Sequence, residues 1–316
     1  MRKKLAIGIA AAAATAALLA APTVRAEYPD KPVSFVVPFP PGDLEDVLTR
    51  MIADAFQQAY GTPAAVVNKP GGGGGPFPGA VEVAKGPTDG SMIGSFVVGV
   101  PVVGPQIGIP ELSPDPFEPL GIFLTYPFVI VAGKDAPYRT MQELAVHAKS
   151  NKVVLGHFGA PLVPTRVTLA LARKLGFEYA SDAAFDALDC NTLASGDVDV
   201  MNTTIQLVLP CLDKVNVLAA VTGERLGLVP DAPTVGEIEP SLKVSLWNGL
   251  FVRKEVAPEV RAKIVEVARK AVLGERAQKL ARETGAQVYW MDAAAARQQI
   301  ANDIGTLKSI AALLEK

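Results

Sequence analysis

Val33-Ser34-Phe35-Val36-Val37-Pro38-Phe39-Pro40-Pro41-Gly42-Asp43-Leu44-Glu45-Asp46 decides how the rest of this chain reads. The β-branched and aromatic run 33–37 is strand-like and is stopped by Pro38. Residues 43–60 then carry Val47, Met51, Ile52 and Phe56 on one helical stripe. The unit is strand, tight loop, helix. Outward from it the unit recurs: strand character at 64–67, a glycine loop and helix character at 80–85; strand at 92–97; strand 153–156 before helix 165–175; strand 198–201 before helix 205–212; strand 217–221. Such alternation predicts an α/β fold of doubly wound parallel sheets covered by helices.

The Pro-rich stretch 104–119 reads as the end of one sheet unit, and Phe128-Val129-Ile130-Val131 resumes strand character. A crossing into a second lobe is expected there, with a return near 246–252, giving two lobes joined by a double hinge at 126–128 and 246–249. Lobe 1 would then comprise 27–127 plus 247–316, and lobe 2 residues 128–246. Helices over 258–273 and 293–313, striped by Ile264, Val267, Ala271 and by Ile300, Ile304, Leu307, should pack on the first lobe.

The chain opens with Arg2, Lys3, Lys4, an apolar run 5–21, and Val24-Arg25-Ala26. These are the three regions of an export signal, which predicts cleavage after Ala26 and a periplasmic product. The composition is 49% hydrophobic and 20% charged, ordinary for a globular chain, which sets disorder aside. A formal net charge of −2 gives no electrostatic footprint for nucleic acid or an anionic membrane surface. Cys190 and Cys211 are the two cysteines. Both lie in apolar, helix-like stretches, which favours buried thiols over a bridge.

Ligands of doubly wound sheets bind beyond the carboxyl ends of the strands, so the loops after Val37, Val67, Gly156 and Met201 hold the candidate site. Phe39, Pro40, Pro41 and Gly42 lead into a helix whose first N–H groups suit a carboxylate. Asp43, with Leu44, Glu45 and Asp46 behind it, caps that helix or lines the site, where its charge repels a carboxylate and attracts an amine. The glycine run 71–75, with Gly74 and Gly75 at its end, allows close backbone approach. His157, Phe158 and Gly159 precede Pro164 and Thr165, which could form the opposite wall; Thr165 reads as the cap of its helix. His157 has no second histidine or cysteine at a metal-ligand spacing, no motif for a cofactor is present, and no catalytic residue is assigned.

Several segments together resemble the periplasmic substrate-binding proteins of tripartite tricarboxylate transporters, often called the Bug family. They are Tyr28-Pro29-Asp30-Lys31-Pro32-Val33, Val37 to Gly42, Asn68-Lys69-Pro70-Gly71, the turn at Pro87, Asp89 and Gly90, Leu193 to Met201, Val221 to Pro240, and Trp247-Asn248-Gly249-Leu250-Phe251. The resemblance implies a type II periplasmic-binding-protein fold, a flytrap that closes on a small carboxylate and delivers it to membrane permease subunits, acting as a monomer. It implies that the stretch where relatives carry tyrosine, lysine and glycine falls at Ala183-Ala184-Phe185, with Asp186 following as a candidate site residue, and that Thr203, followed by Thr204, stands where relatives often carry aspartate. The glycine-rich entry of the family keeps only Gly42 and Asp46. These departures suggest a more apolar pocket around Phe39, Phe158 and Phe185, and a ligand with one carboxylate and an apolar, aromatic or amine-bearing body. The alternatives are an exported enzyme built on His157, Asp43, Glu45 or Asp186, and a sensory or partner-binding protein that keeps the fold without transport.

Overall fold

The computed structural model describes residues 27–71, 75–185 and 187–315; the expected signal segment, Gly74 and Asp186 lie outside the described residues. The chain runs β1 (Val33–Val37), α1 (Leu44–Tyr60), β2 (Ala64–Asn68), α2 (Phe77–Ala84), β3 (Met92–Val97), α3 (Gly99–Val103) and β4 (Phe117–Thr125). It crosses at Tyr126-Pro127 into β5 (Phe128–Gly133), α4 (Met141–Ala148), β6 (Val154–His157), α5 (Val163–Lys174), β7 (Ser181–Ala184), α6 (Cys190–Ser195), β8 (Val200–Thr204), α7 (Ile205–Val208), β9 (Val215–Ala220) and α8 (Val235–Ile238). It returns in β10 (Trp247–Arg253), followed by α9 (Pro258–Val272), α10 (Glu275–Thr284), β11 (Gln287–Asp292) and α11 (Ala293–Leu314).

Two sheets result, ordered β11-β4-β10-β3-β1-β2 and β7-β6-β8-β5-β9. The expectation of purely parallel sheets is corrected. β1, β2 and β3 are mutually parallel, as are β6, β7 and β8, but β10 runs antiparallel between β3 and β4, and β5 antiparallel between β8 and β9. The reason is the double crossing: each returning strand enters its sheet at the end where the parallel strands leave. The stretch 104–119 is also more than a terminus. After short 3-10 turns it becomes β4, whose Pro119 pairs with Phe251 where the register to β10 shifts. A proline cannot donate to a ladder, and a bulge absorbs the misfit.

The α1 stripe is centred one position from the expected one. Leu44, Leu48, Ile52, Ala53 and Phe56 are its buried apolar positions, while Val47 and Met51 are half-buried. Phe35, Phe96, Phe123, Trp247 and Phe251 fill the first sheet's core, with the Phe96 and Phe251 rings stacked 5.7 Å apart. The Trp247 indole N–H donates to Asp303 Oδ2 of α11 at 2.7 Å, anchoring the return crossing. α11 does more than cover the first lobe. It packs against α5 of the second, where Arg173 Nη1 donates to the Leu313 carbonyl at 2.8 Å.

Cys190 and Cys211 form a disulfide, correcting the expectation of two thiols. Leu209–Lys214 is a 3-10 segment with a non-helical residue at Cys211, so the helical stretch that would have kept the thiol in the core is broken there. The bridge spans 21 residues of sequence. Replacing both cysteines by serine is expected to cost about 3 kcal/mol through the looser unfolded chain; urea unfolding of the double variant measures it.

Candidate functional site

The carboxyl ends of β1, β2 and β3 and those of β6 and β8 meet at the level of the two crossings. Asn248 of β10 pairs with Val97 at the end of β3, Tyr126 N–H donates to the Leu246 carbonyl at 2.8 Å, and Phe128 pairs with Thr204 at the end of β8. The loops after these strands therefore gather where ligands bind in such folds.

The first loop is built by a carboxylate clamp. Gly42 takes φ +100°, a conformation that disfavours any side chain, and its N–H donates to Asp46 Oδ2 at 2.9 Å. Arg50, one turn on, donates from Nε to Asp46 Oδ2 and from Nη2 to Oδ1, each at 2.9 Å. Asn68 at the end of β2 donates to Asp46 Oδ1 at 2.8 Å and to the Phe39 carbonyl at 3.0 Å. Burial opposes ionisation of Asp46, but the hydrogen bonds from Arg50, Gly42 and Asn68 outweigh it and lower its pKa. Asp46 thus shapes the loop, and both its oxygens are engaged in doing so.

Its neighbours differ. Asp43 occupies the N-cap position of α1 with extended backbone, yet its side chain makes no cap bond, which corrects the capping reading. Desolvation, then the charge of Asp46, raises its pKa. Glu45 is buried, and desolvation followed by Asp43 lifts its pKa to about 8. Near neutrality it is a protonated acid, so the wall behind the loop carries less negative charge than the sequence suggests. Phe39 is half-buried, Pro40, Pro41 and Gly42 are exposed, and Leu44 is buried. The first α-helical bond of α1 is Val47 N–H to the Asp43 carbonyl, so the N–H groups of Leu44, Glu45 and Asp46 precede the ladder.

Across from it stands α5. Its first α-helical bond is Arg166 N–H to the Leu162 carbonyl, leaving the N–H groups of Val163 and Thr165 ahead of the ladder; Pro164 has none. Thr165 is not the cap: Leu162 is, and Thr165 lies inside the first turn. Its Oγ1 is buried with no hydrogen-bond partner. Gly75 brings the two sides together, since a Cβ placed on it would lie 4.0 Å from Leu162 Cδ2.

His157 is buried and fully engaged. Its Nδ1 accepts from Gly159 N–H at 3.0 Å, which leaves Nε2 to donate to Asp182 Oδ1 of β7 at 2.7 Å. Its ring ties the loop to β7. Thr203 is likewise internal, donating to the Leu188 carbonyl at 2.7 Å, while Thr204 is buried at the end of β8. Phe158 and Phe185 are half-buried; the Phe158 ring meets Phe128 edge to face at 6.2 Å, and Phe185 N–H donates to the His157 carbonyl at 2.9 Å. Among the described residues no group of three His, Cys, Asp or Glu side chains could hold a metal ion.

The reading of the sequence missed Arg50 and Asn68. The i, i+4 spacing of Asp46 and Arg50 was an available signal; Asn68 stood in a segment of the family resemblance, but nothing local gave its side chain a role.

Comparison with known proteins gives three kinds of likeness. The family described as "Tripartite tricarboxylate transporter family receptor" matches residues 48–315. A protein of Pseudomonas sp. (strain P51), described as "UPF0065 protein in tcbD-tcbE intergenic region", is 28% identical over 292 residues, covering 86% of this chain and 82% of its own. The structure of the periplasmic binding protein BugD superposes with a TM-score of 0.74 at 26% identity, over 90% of this chain and 99% of BugD. MatC of Rhodopseudomonas palustris, with bound malate, gives 0.73 at 24% identity, over 90% and 99% of the two chains.

Proposed function

Because the chain belongs to the tripartite tricarboxylate transporter receptor family, we propose that this solute-binding protein captures a small carboxylate between its lobes and hands it to the permease subunits of such a transporter. The observation that carries this reading is the pair of helix starts, α1 and α5, set in loops that converge at the crossings, with N–H groups outside their ladders and the unpartnered Thr165 Oγ1 beside one of them. Free N–H groups and helix dipoles favour a carboxylate, and a ligand oxygen would satisfy the buried hydroxyl. The malate-bound MatC, of the same fold, supports the ligand class.

The finer selectivity follows from Asp43. With Asp46 neutralised by Arg50 and Glu45 protonated, Asp43 is the acidic group left open at the entry. A ligand carrying several carboxylates meets its repulsion, whereas an ammonium group pairs with it, and Phe39, Phe158 and Phe185 offer apolar surface. The reading is a ligand with one carboxylate and an apolar, aromatic or amine-bearing body.

A thermal-shift screen of the chain from Glu27 onward tests this with mono-, di- and tricarboxylates, aromatic acids and amino acids. A ligand present at one hundred times its Kd adds about 2.7 kcal/mol to stability. Monocarboxylates with a bulky body are expected to raise Tm most. Citrate binding as tightly as any of them would overturn the selectivity, and a flat response across the panel would count against carboxylate capture.

A further inference from the structure

Three polar side chains are shut inside the first lobe, one each from α1, β3 and β10, where apolar packing is the rule. Thr49, Ser95 and Asn248 expose no surface. Asn248 Nδ2 donates to Ser95 Oγ at 2.8 Å, Ser95 Oγ lies 2.8 Å from Thr49 Oγ1, and Thr49 Oγ1 donates to the backbone carbonyl of Glu45 at 2.5 Å. At the other end the Tyr126 hydroxyl donates to Asn248 Oδ1 at 3.3 Å. The relay thus runs from Tyr126 at the first crossing, through Asn248 at the second, to the first turn of α1.

Counting hydrogens gives the Ser95–Thr49 bond its direction. Thr49 has one hydroxyl hydrogen and gives it to the Glu45 carbonyl, so Ser95 donates to Thr49 and keeps its lone pairs for Asn248. Every bond then points the same way, from the crossings towards α1. Apolar side chains alone let a helix settle on a sheet in several nearby positions at similar cost. A buried directional relay does not, because a shift of any member leaves a polar group unpaired where water cannot reach it. The two crossings are themselves joined, Tyr126 N–H to the Leu246 carbonyl at 2.8 Å, so the relay attaches the joint as a unit.

We propose that Asn248 is a positioning residue for capture: through Ser95 and Thr49 it fixes the first turn of α1 to both crossings and so aims the N–H groups of Leu44, Glu45 and Asp46 into the crevice. Asn248 touches no ligand in this role. It acts through α1, whose start keeps one orientation to the joint on which the second lobe turns. The bearing on capture rests on the carboxylate reading of the α1 start. The fastening itself does not, and it is tested without a ligand, so a failed ligand screen and a failed relay are separate results.

Hydrogen–deuterium exchange is followed in peptides covering residues 44–53 of α1, 163–174 of α5 and 258–272 of α9. Asn248→Ala is expected to speed exchange in 44–53 by about tenfold or more, while α5 and α9 stay within about twofold of the wild type. Ser95→Ala, which removes the middle of the relay with little change of volume, should give the same local rise. Adding Asn248→Ala to it should raise exchange in 44–53 by less than about twofold further, since a broken relay cannot be broken again. Thr49→Val removes the far end and keeps the shape of the side chain. It should move the side-chain amide resonance of Asn248 upfield, and Ser95→Ala in the same chain should abolish that displacement. These two variants carry the test where Asn248→Ala does not fold. Exchange that rises equally in all three helices marks a lost core contact and overturns the positioning role. Effects of Ser95→Ala and Asn248→Ala that multiply, or an Asn248 resonance indifferent to Thr49→Val, overturn it as well.

Discussion

Asp46→Ala should lower the unfolding free energy by about 3 kcal/mol and abolish ligand capture. The carboxylate is almost fully covered and receives four hydrogen bonds, from Gly42, Arg50 twice, and Asn68. Removing it leaves the Asn68 amide and the Gly42 N–H short of acceptors. It also frees Gly42 from the one bond that ties its left-handed turn to α1. Arg50 is half-exposed and can turn to water, which keeps the cost below that of a fully buried ion pair. Asp46→Asn should cost nearly as much, because its amide group presents hydrogens to the Arg50 guanidinium and can no longer accept at both positions. Urea titrations give the stability, and isothermal calorimetry with a ligand found in the screen gives the binding. A variant that binds at wild-type affinity would refute the role of the clamp in shaping the site.

Stability should fall as pH rises from about 4.5 to about 8, and Glu45→Gln should remove that fall. The folded chain holds the Glu45 proton up to about pH 8, whereas an exposed glutamate releases it near its ordinary value of 4.5. Within this window the folded state binds more protons than the unfolded state. The slope of unfolding free energy against pH is therefore negative, about 1.4 kcal/mol per unit, levelling off above the folded pKa. Over the window the loss is of the order of 4 kcal/mol. Carboxylates whose pKa is lowered, Asp89 and Glu237 at about 2, act in the opposite sense and only in acid: their contribution is complete above the unfolded value and is lost as pH drops towards 2. Asp43, Asp115 and Asp303, whose pKa values burial also raises, act in the same sense as Glu45, so the difference between wild-type and Glu45→Gln urea midpoints collected from pH 5 to pH 9 isolates Glu45. Parallel profiles for the wild type and Glu45→Gln would show that Glu45 ionises in the fold as it does in the open chain.

The strand-loop-helix units were legible because their signals are short in range. The β-branched run 33–37, the Pro38 stop and the apolar spacing along α1 lie within a few residues of each other, and they place the first loop at a strand's carboxyl end without any tertiary information. The resemblance to a receptor family rests on the same kind of local signal, repeated in order along the chain, and the family match over residues 48–315 agrees with it. Less was legible where a segment's role depends on what lies beside it. β4 hides in a proline-rich stretch because its Pro119 is tolerated only through a register shift against β10, more than a hundred residues away.

The acidic entry shows the same division. Sequence established that Asp43, Glu45 and Asp46 stand together at a helix start, and it could assign them one shared charge effect only. Tertiary structure gave them three different states: Asp46 ionised and clamped by Asn68 across 22 residues, Glu45 buried against Tyr126 and holding its proton, Asp43 left open at the crevice. His157 and the two cysteines were settled in the same way, by Asp182 from a neighbouring strand and by a break in a helix. Turn chemistry and periodicity act between residues adjacent along the chain, so sequence alone marks the strand-loop-helix units whose signals are local. Proton affinity, hydrogen-bond direction and disulfide pairing depend on burial and on partners brought together by packing, so only the folded chain decides which of its polar groups remain free to meet a ligand.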